Sequence, residues 1–282
     1  MSLQFIPTVW AARLLTSLDK ELVYGQNSVC NRHYEGEIRK AGNTVKIASV
    51  GDVAIDDYTR NTDISDPEIL TDASQNLSID QAKYFNFFVD SVDRAQQNVN
   101  VLDEAMRRAA WGLRDHADTF LAETMAAAVL SGNKIGSDAS PIEPTSDDAY
   151  EHLVDLSVLL DEANVPLEGR FVIVPAWFHG LLLKDGRFVN SGTLRSDVAL
   201  ANGQVGEAAG FRILKSNSVP NNAGEAYKIV AGHAIATAYV EQVLDLQTYK
   251  PEKRFGDAVK GLHVYGAKVV RPTSLAMLIA DK

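Results

Sequence analysis

Residues 36–90 constrain this chain more than any other part of it, because they specify a sheet that cannot bury itself. Residues 44–55 (TVKIASVGDVAI) alternate apolar and polar side chains, the period of a half-buried strand. Gly42-Asn43 and Gly51-Asp52 are turn signals around and within it. The segment DDYTRNTDISDPEILTD follows, setting Asp56, Asp57, Asp63, Asp66, Glu68 and Asp72 against a lone Arg60. Residues 77–90 (LSIDQAKYFNFFVD) then alternate again and are rich in aromatics. The whole reads as a long two-stranded excursion with an acidic, turn-rich tip. Two strands alone cannot bury enough surface to be stable in water. The aromatic base can pack on a body, but the tip needs a partner.

The rest of the chain can supply that body. With 282 residues, 46% hydrophobic and 23% charged, it can build one large core or two ordinary ones. Residues 8–22 read as a short amphipathic helix, with Trp10, Leu14, Leu15, Leu18 and Leu22 on one side. Asn98 or Asn100 is expected to cap the strongest helix, which runs to about Leu130. Its apolar side chains (Leu102, Met106, Ala109, Leu113, Ala117, Phe120, Leu121, Met125) recur at three- and four-residue steps, and Gly132 is a stop. Some thirty residues would span about 45 Å, which suits an elongated subunit with a spine. After the turn-rich 131–148, helix is expected over 149–163, a buried strand over 171–174, a helix opened by Pro175 and a strand over 211–214. That alternation points to an α/β unit. From Tyr227 onward the pattern is strand-like, in YKIVAG, VLDLQTY, GLHVYGAKVV and SLAMLIA.

A search for chemistry yields nothing above background. None of His33, His116, His152, His179, His233 and His263 forms a closely spaced ligand pair. Asp115-His116-Ala117-Asp118 lies inside the long helix and reads as a solvated face rather than half a metal site. His179, in AWFHGLLL, lacks a preceding nucleophile elbow. Gly203, Gly206 and Gly210 follow no strand and lead to no Lys-Ser/Thr pair, so they read as a turn rather than a phosphate loop. The acidic run 52–72 lacks the ligand spacing of a calcium loop. Cys30 is the only cysteine, which excludes an internal disulfide framework. No apolar run approaches a membrane span and no signal-peptide layout opens the chain, so a soluble protein made in the cytoplasm is expected. A net charge of −10 argues against tight binding to a nucleic-acid backbone. Lys250, Lys253 and Arg254 form a small basic cluster suited to meeting an acidic surface, such as that of another subunit.

Several segments carry a family likeness. FIPTVWAARLLTSLDKELVYGQ, GNTVKIASVGDVAIDDYTRNTDI, RFVIVPAWFHGLL, AAGFRILKSNSVP and RFGDAVKGLHVYGAKVVRPTSLAMLIA resemble, in order and motif, the major capsid proteins of tailed bacteriophages with the Hong Kong ninety-seven type fold. Within that fold the chain is most similar to the group whose scaffolding protein is separate. The resemblance implies an α+β fold made of an N-terminal arm and helix (1–35), an extended β-hairpin loop (36–90) and a peripheral domain with a long spine helix (91–145). An α/β axial domain (146–240) and return strands of the peripheral domain (241–282) complete it. It implies a structural protein, with no enzymatic activity and no cofactor or metal, that self-assembles into hexamers and pentamers of an icosahedral head around double-stranded DNA. Implied partners are copies of itself, a scaffolding protein, a portal and decoration proteins, with no membrane; assembly would occur in the host cytoplasm. The founding member's lysine–asparagine crosslink, with its assisting glutamate, has no matching trio here. Asp56, Asp57, Arg60, Asp63, Asp66, Glu68, Lys253 and Arg254 are the candidate subunit contacts. An encapsulin-like nanocompartment shell is the nearest alternative, since it shares the fold but encloses an enzyme. An α/β enzyme is the second, and it would need a convergent polar site.

Overall fold

A computed structural model describes residues 22–36, 44–50, 57, 58, 60, 63, 72–90, 101–185, 206–253 and 256–282. The expected helix at 8–22 lies outside these, apart from its last residue. In chain order the elements are β1 (Thr44–Val50), β2 (Asp72–Ser78), β3 (Gln81–Asp90), α1 (Val101–Ala128), β4 (Lys134–Ile135), α2 (Ala149–Glu162) and β5 (Arg170–Val174). They continue with α3 (Ala176–Lys184), β6 (Glu207–Ala208), β7 (Phe211–Lys215), β8 (Tyr227–His233), β9 (Thr237–Tyr249), β10 (Gly256–Val269) and β11 (Leu275–Ala280).

The strands form three sheets among the described residues: β1-β2, β3-β10-β9 and β4-β11-β8-β5-β7-β6. The two-stranded ribbon runs from Thr44↔Ser78 to Val50↔Asp72. Its second strand is shorter than the sequence suggests, because 77–90 divides at Ile79-Asp80. The aromatic part, β3, leaves the ribbon and pairs antiparallel with β10 from Gln81↔Tyr265 to Asp90↔Gly256. The physical reason is partner length, since β10 offers β3 a full-length ladder inside a sheet that already has β9 on its other edge.

The six-stranded sheet is mixed, with β5 parallel to β7 and β4 parallel to β11. Every residue of β5 (RFVIV) and β11 (LAMLIA) is buried, as strands covered on both faces must be. On one face α1 packs through Leu121, Met125 and Val129 against Phe171, Ile173, Val230, Met277 and Ile279. On the other, α2 and α3 pack through Leu153, Leu156, Leu160, Phe178 and Leu182 against Val172, Val174, Ile229, Ala231 and Leu278. The last three strands therefore divide between two sheets. β9 and β10 join β3, whereas β11 inserts between β4 and β8, because a wholly apolar strand fits only where both faces are covered.

Helix α1 buries Met106, Ala110, Leu113, Ala117, Leu121 and Met125, a stripe at three- and four-residue steps. At 28 residues it spans about 42 Å. It stops before Gly132: Leu130 is already extended, and a 3-10 turn at Ser131–Asn133 follows. Asn133 then donates to the Leu275 carbonyl at 2.9 Å and ties that turn to β11. The α2–β5 turn is closed by Arg170, 2% exposed, which donates to the carbonyls of Val165 (2.6 Å) and Pro166 (2.9 Å) and pairs with Asp161 at 2.7 Å.

Candidate functional site

The candidate site is the place where the ribbon meets the body. Ile47, Leu77 and Ile79 of the ribbon base bury against Ala238 and Val240 of β9, with Tyr34, Val264 and Val270 packed around them. Gln75 donates to the Val270 carbonyl at 3.3 Å, and Lys268 to that of Asn76 at 2.9 Å. Gly266 of β10 lies directly under the ribbon's exit. A Cβ there would sit 2.4 Å from the Ser78 carbonyl oxygen and 2.9 Å from Ile79 Cα, so only glycine permits the crossing.

Beneath this junction β9 and β10 hold a buried polar cluster. Glu241, 7% exposed, accepts from the Tyr239 hydroxyl at 2.7 Å and pairs with the Arg32 guanidinium. His263 is fully buried, with Nε2 3.3 Å from the same carboxylate. Burial alone would raise the Glu241 pKa. The hydrogen bond from His263, the charge of Arg32 and the bond from Tyr239 outweigh it and hold the carboxyl below its usual range. Arg32 also lies over the Tyr239 ring, 5.7 Å from its centroid, so segment 22–32 is clamped to β9. Backbone bonds extend that clamp, with Asn31 donating to Thr237 and accepting from Tyr239.

A second anchor holds the same segment to α1. Asp118, 2% exposed, accepts from the amides of Val23 at 2.8 Å and Tyr24 at 3.1 Å. Burial pushes its pKa up to about 6, against the lowering pull of those amides, of Gly25 and of the Arg114 charge. Asp118 is therefore not on a solvated face, whereas its neighbour His116 is exposed. Cys30 is buried, its thiol donates to the Tyr24 carbonyl at 3.1 Å, and burial raises its pKa, so it is an inert core residue.

Of the residues singled out from sequence, Asp57, Arg60, Asp63 and Lys253 are exposed. Asp56, Asp66, Glu68 and Arg254 lie outside the described residues. Sequence reasoning missed Arg32, Asp118, Glu241 and His263. Their signal was available in part: Glu241 and His263 interrupt otherwise apolar inward positions of TAYVEQV and GLHVYG. Their arrangement is acid, base and guanidinium in contact, yet the carboxylate and imidazole are sealed from solvent. It can hold a chain segment in place, and nothing can reach it to react. No group of three or more potential metal ligands occurs among the described residues, and no helix is long and apolar enough to cross a membrane.

Comparison with known proteins places this architecture. A family model described as phage capsid protein matches residues 51–278. A solved structure from Mycobacterium phage Che8 is similar at 30% identity, covering 92% of this chain and 91% of its own, with a TM-score of 0.74. The capsid of cyanophage P-SCSP1u shares the fold at 20% identity, covering 86% and 84%, with a TM-score of 0.69. The mature capsid of bacteriophage PhiM1 does so at 16%, covering 89% and 87%, with a TM-score of 0.64. No curated protein matches the chain.

Proposed function

The chain belongs to the phage capsid protein family, and from that premise we propose that it closes its shell by laying the ribbon built on β1 and β2, residues 44–78, on a neighbouring subunit. It is a structural major capsid protein that assembles with copies of itself into the virion's shell. The observation that carries the ribbon's role is its imbalance. Among the described residues β1 and β2 pair with each other alone, Ile47 and Leu77 are buried at the base, and Asp57, Tyr58, Arg60 and Asp63 beyond it are exposed. A two-stranded ribbon of this kind gains its stability from a partner. The anchor at Gly266 and the Arg32–Glu241–His263 cluster fix its base, so its direction is set by the body.

In this reading 1–35 is the arm and α1 with the three-stranded sheet forms the peripheral part. The six-stranded sheet with α2 and α3 forms the axial part. Hexamers and pentamers assemble in the host cytoplasm with a separate scaffolding protein, and portal and decoration proteins complete the head. DNA is enclosed without sequence recognition, which the net charge of −10 favours because it leaves the packaged strands free. Asp56, Asp57, Arg60, Asp63, Asp66, Glu68, Lys253 and Arg254 make rim contacts between subunits. Membership of a phage family favours this over an encapsulin-like shell, and the sealed polar cluster gives no support to an enzyme.

Removing residues 56–72 tests the ribbon's role. The variant is expected to remain a folded, soluble subunit that forms no shells when co-expressed with its scaffolding protein. Shells of normal size by electron microscopy would overturn the proposal.

A further inference from the structure

Two exposed apolar patches of opposite charge lie on helices that pack on opposite faces of the six-stranded sheet. The first is on α1. Trp111 is 55% exposed, and the residues one helical turn either side of it at −4, −3 and +3 are Arg107, Arg108 and Arg114. The Arg114 guanidinium lies over the indole, 5.5 Å from its centroid. Asp115, one turn further along α1, accepts from the Ser218 hydroxyl of the body at 3.4 Å. An exposed tryptophan framed by arginines has the composition of an interface hot spot.

The second patch is on α2. The helix buries Ala149, Leu153, Leu156 and Leu160, and its opposite face shows Val154 (37% exposed) and Val158 (47% exposed). Leu167, 71% exposed, lies in the turn that follows. Glu151, Asp155 and Glu162 rim this apolar strip, and residues 143–169 contain no Lys or Arg. Carboxylates around a desolvated apolar centre match arginines around a tryptophan in both sign and chemistry.

One chain cannot bring these patches together. α1 packs on one face of the sheet through Leu121 and Met125, and α2 packs on the other through Leu153 and Leu156. Trp111 is a further ten residues, about 15 Å, along α1 from Leu121. Two different, complementary patches on one chain define a head-to-tail contact, the kind that propagates into rings and shells. We infer that Trp111 and its arginines on one subunit dock on the Val154–Val158 strip of a second copy. The inference rests on the assembly reading above and adds to it a contact independent of the ribbon.

The test uses shells assembled from full-length chains. In the double variant Trp111→Cys, Val158→Cys, mild oxidation is expected to give a ladder of disulfide-linked multimers on non-reducing gels. Either single variant should remain monomeric there, since Cys30 is buried. Shells of normal size with no ladder would overturn the inference, and so would a disulfide-linked dimer from Trp111→Cys alone, which would mean that two α1 faces meet. A wild-type chain that forms no shells would instead defeat the assembly reading, so the two failures are distinguishable. If the cysteine variant does not assemble, charge reversal decides. Arg107→Glu with Arg108→Glu should cut shell yield by roughly tenfold while the monomer keeps its melting temperature, and Glu151→Lys with Asp155→Lys should restore it. Absence of that restoration would overturn the inference.

Discussion

Glu241 and Asp118 are both buried carboxylates, and their surroundings drive them in opposite directions. At Glu241 burial is outweighed by His263, Arg32 and Tyr239, so the folded pKa is lowered. Its contribution is therefore present above the ordinary carboxylate range and lost as pH falls through the folded pKa. Glu241→Gln keeps the shape but removes the negative charge that the buried Arg32–Glu241 pair depends on, and should cost about 3 kcal/mol in chemical denaturation. That is the low end for a broken buried pair, because Arg32 is 16% exposed and can recover some water. At Asp118 burial wins, and the folded pKa of about 6 stands above the unfolded value near 3.9. The folded state then binds more protons than the unfolded state between those values, so this group lowers stability as pH rises from about 4 to about 6. Asp118→Asn removes the titration and keeps an oxygen for one of the two amides, since Val23 and Tyr24 donate to different carboxylate oxygens. Its stability curve should be flatter than that of the wild type across that window, and an unchanged slope would show that Asp118 does not titrate there.

The elements depend on a few crossings that leave no spare room. The ribbon leaves the body over Gly266, where the Ser78 carbonyl would meet any added Cβ at 2.4 Å. Gly266→Ala must lift the β2–β3 junction off β10, and it should lower stability by about 1 to 3 kcal/mol, the range for overpacking. The denaturation midpoint measures that loss. Because the ribbon's aim is set at this point, the variant's shell yield should fall as well, whereas an alanine at exposed Gly132, where nothing lies within 4 Å, should leave both unchanged. Division of 77–90 into β2 and β3 belongs to this scale too. Alternation marked both halves as strand, but it could not reveal that they serve different sheets, since alternation fixes a face and not a partner.

For the whole molecule, the order of strands matters more than their number. β11 lies between β4 and β8, one strand in from the sheet edge, with every residue buried. Removing residues 275–282 would strip a ladder from both neighbours and open the cores under α1 and α2 together. That truncation should give aggregated protein with no cooperative melt, and a soluble product with a cooperative melt would refute it. Folding must also wait for these last strands, because β11 pairs with residues from far earlier in the chain.

Local periodicity in the sequence was enough to determine that α1 is one long helix with an apolar stripe, that 171–174 is a buried strand and that 275–280 is a strand. Those properties follow from 3.6- and 2-residue spacings, which are written along the chain. The motif likeness carried the family in the same way, since it too is read in sequence order. Only the tertiary structure decided that Asp118 is an anchor and not a solvated acid, and that Arg32, Glu241 and His263 meet. It alone placed β11 in the six-stranded sheet and set α1 and α2 on opposite faces of that sheet. Each of these is a contact between residues distant along the chain, fixed by which strand pairs with which, and no spacing within a segment encodes that choice.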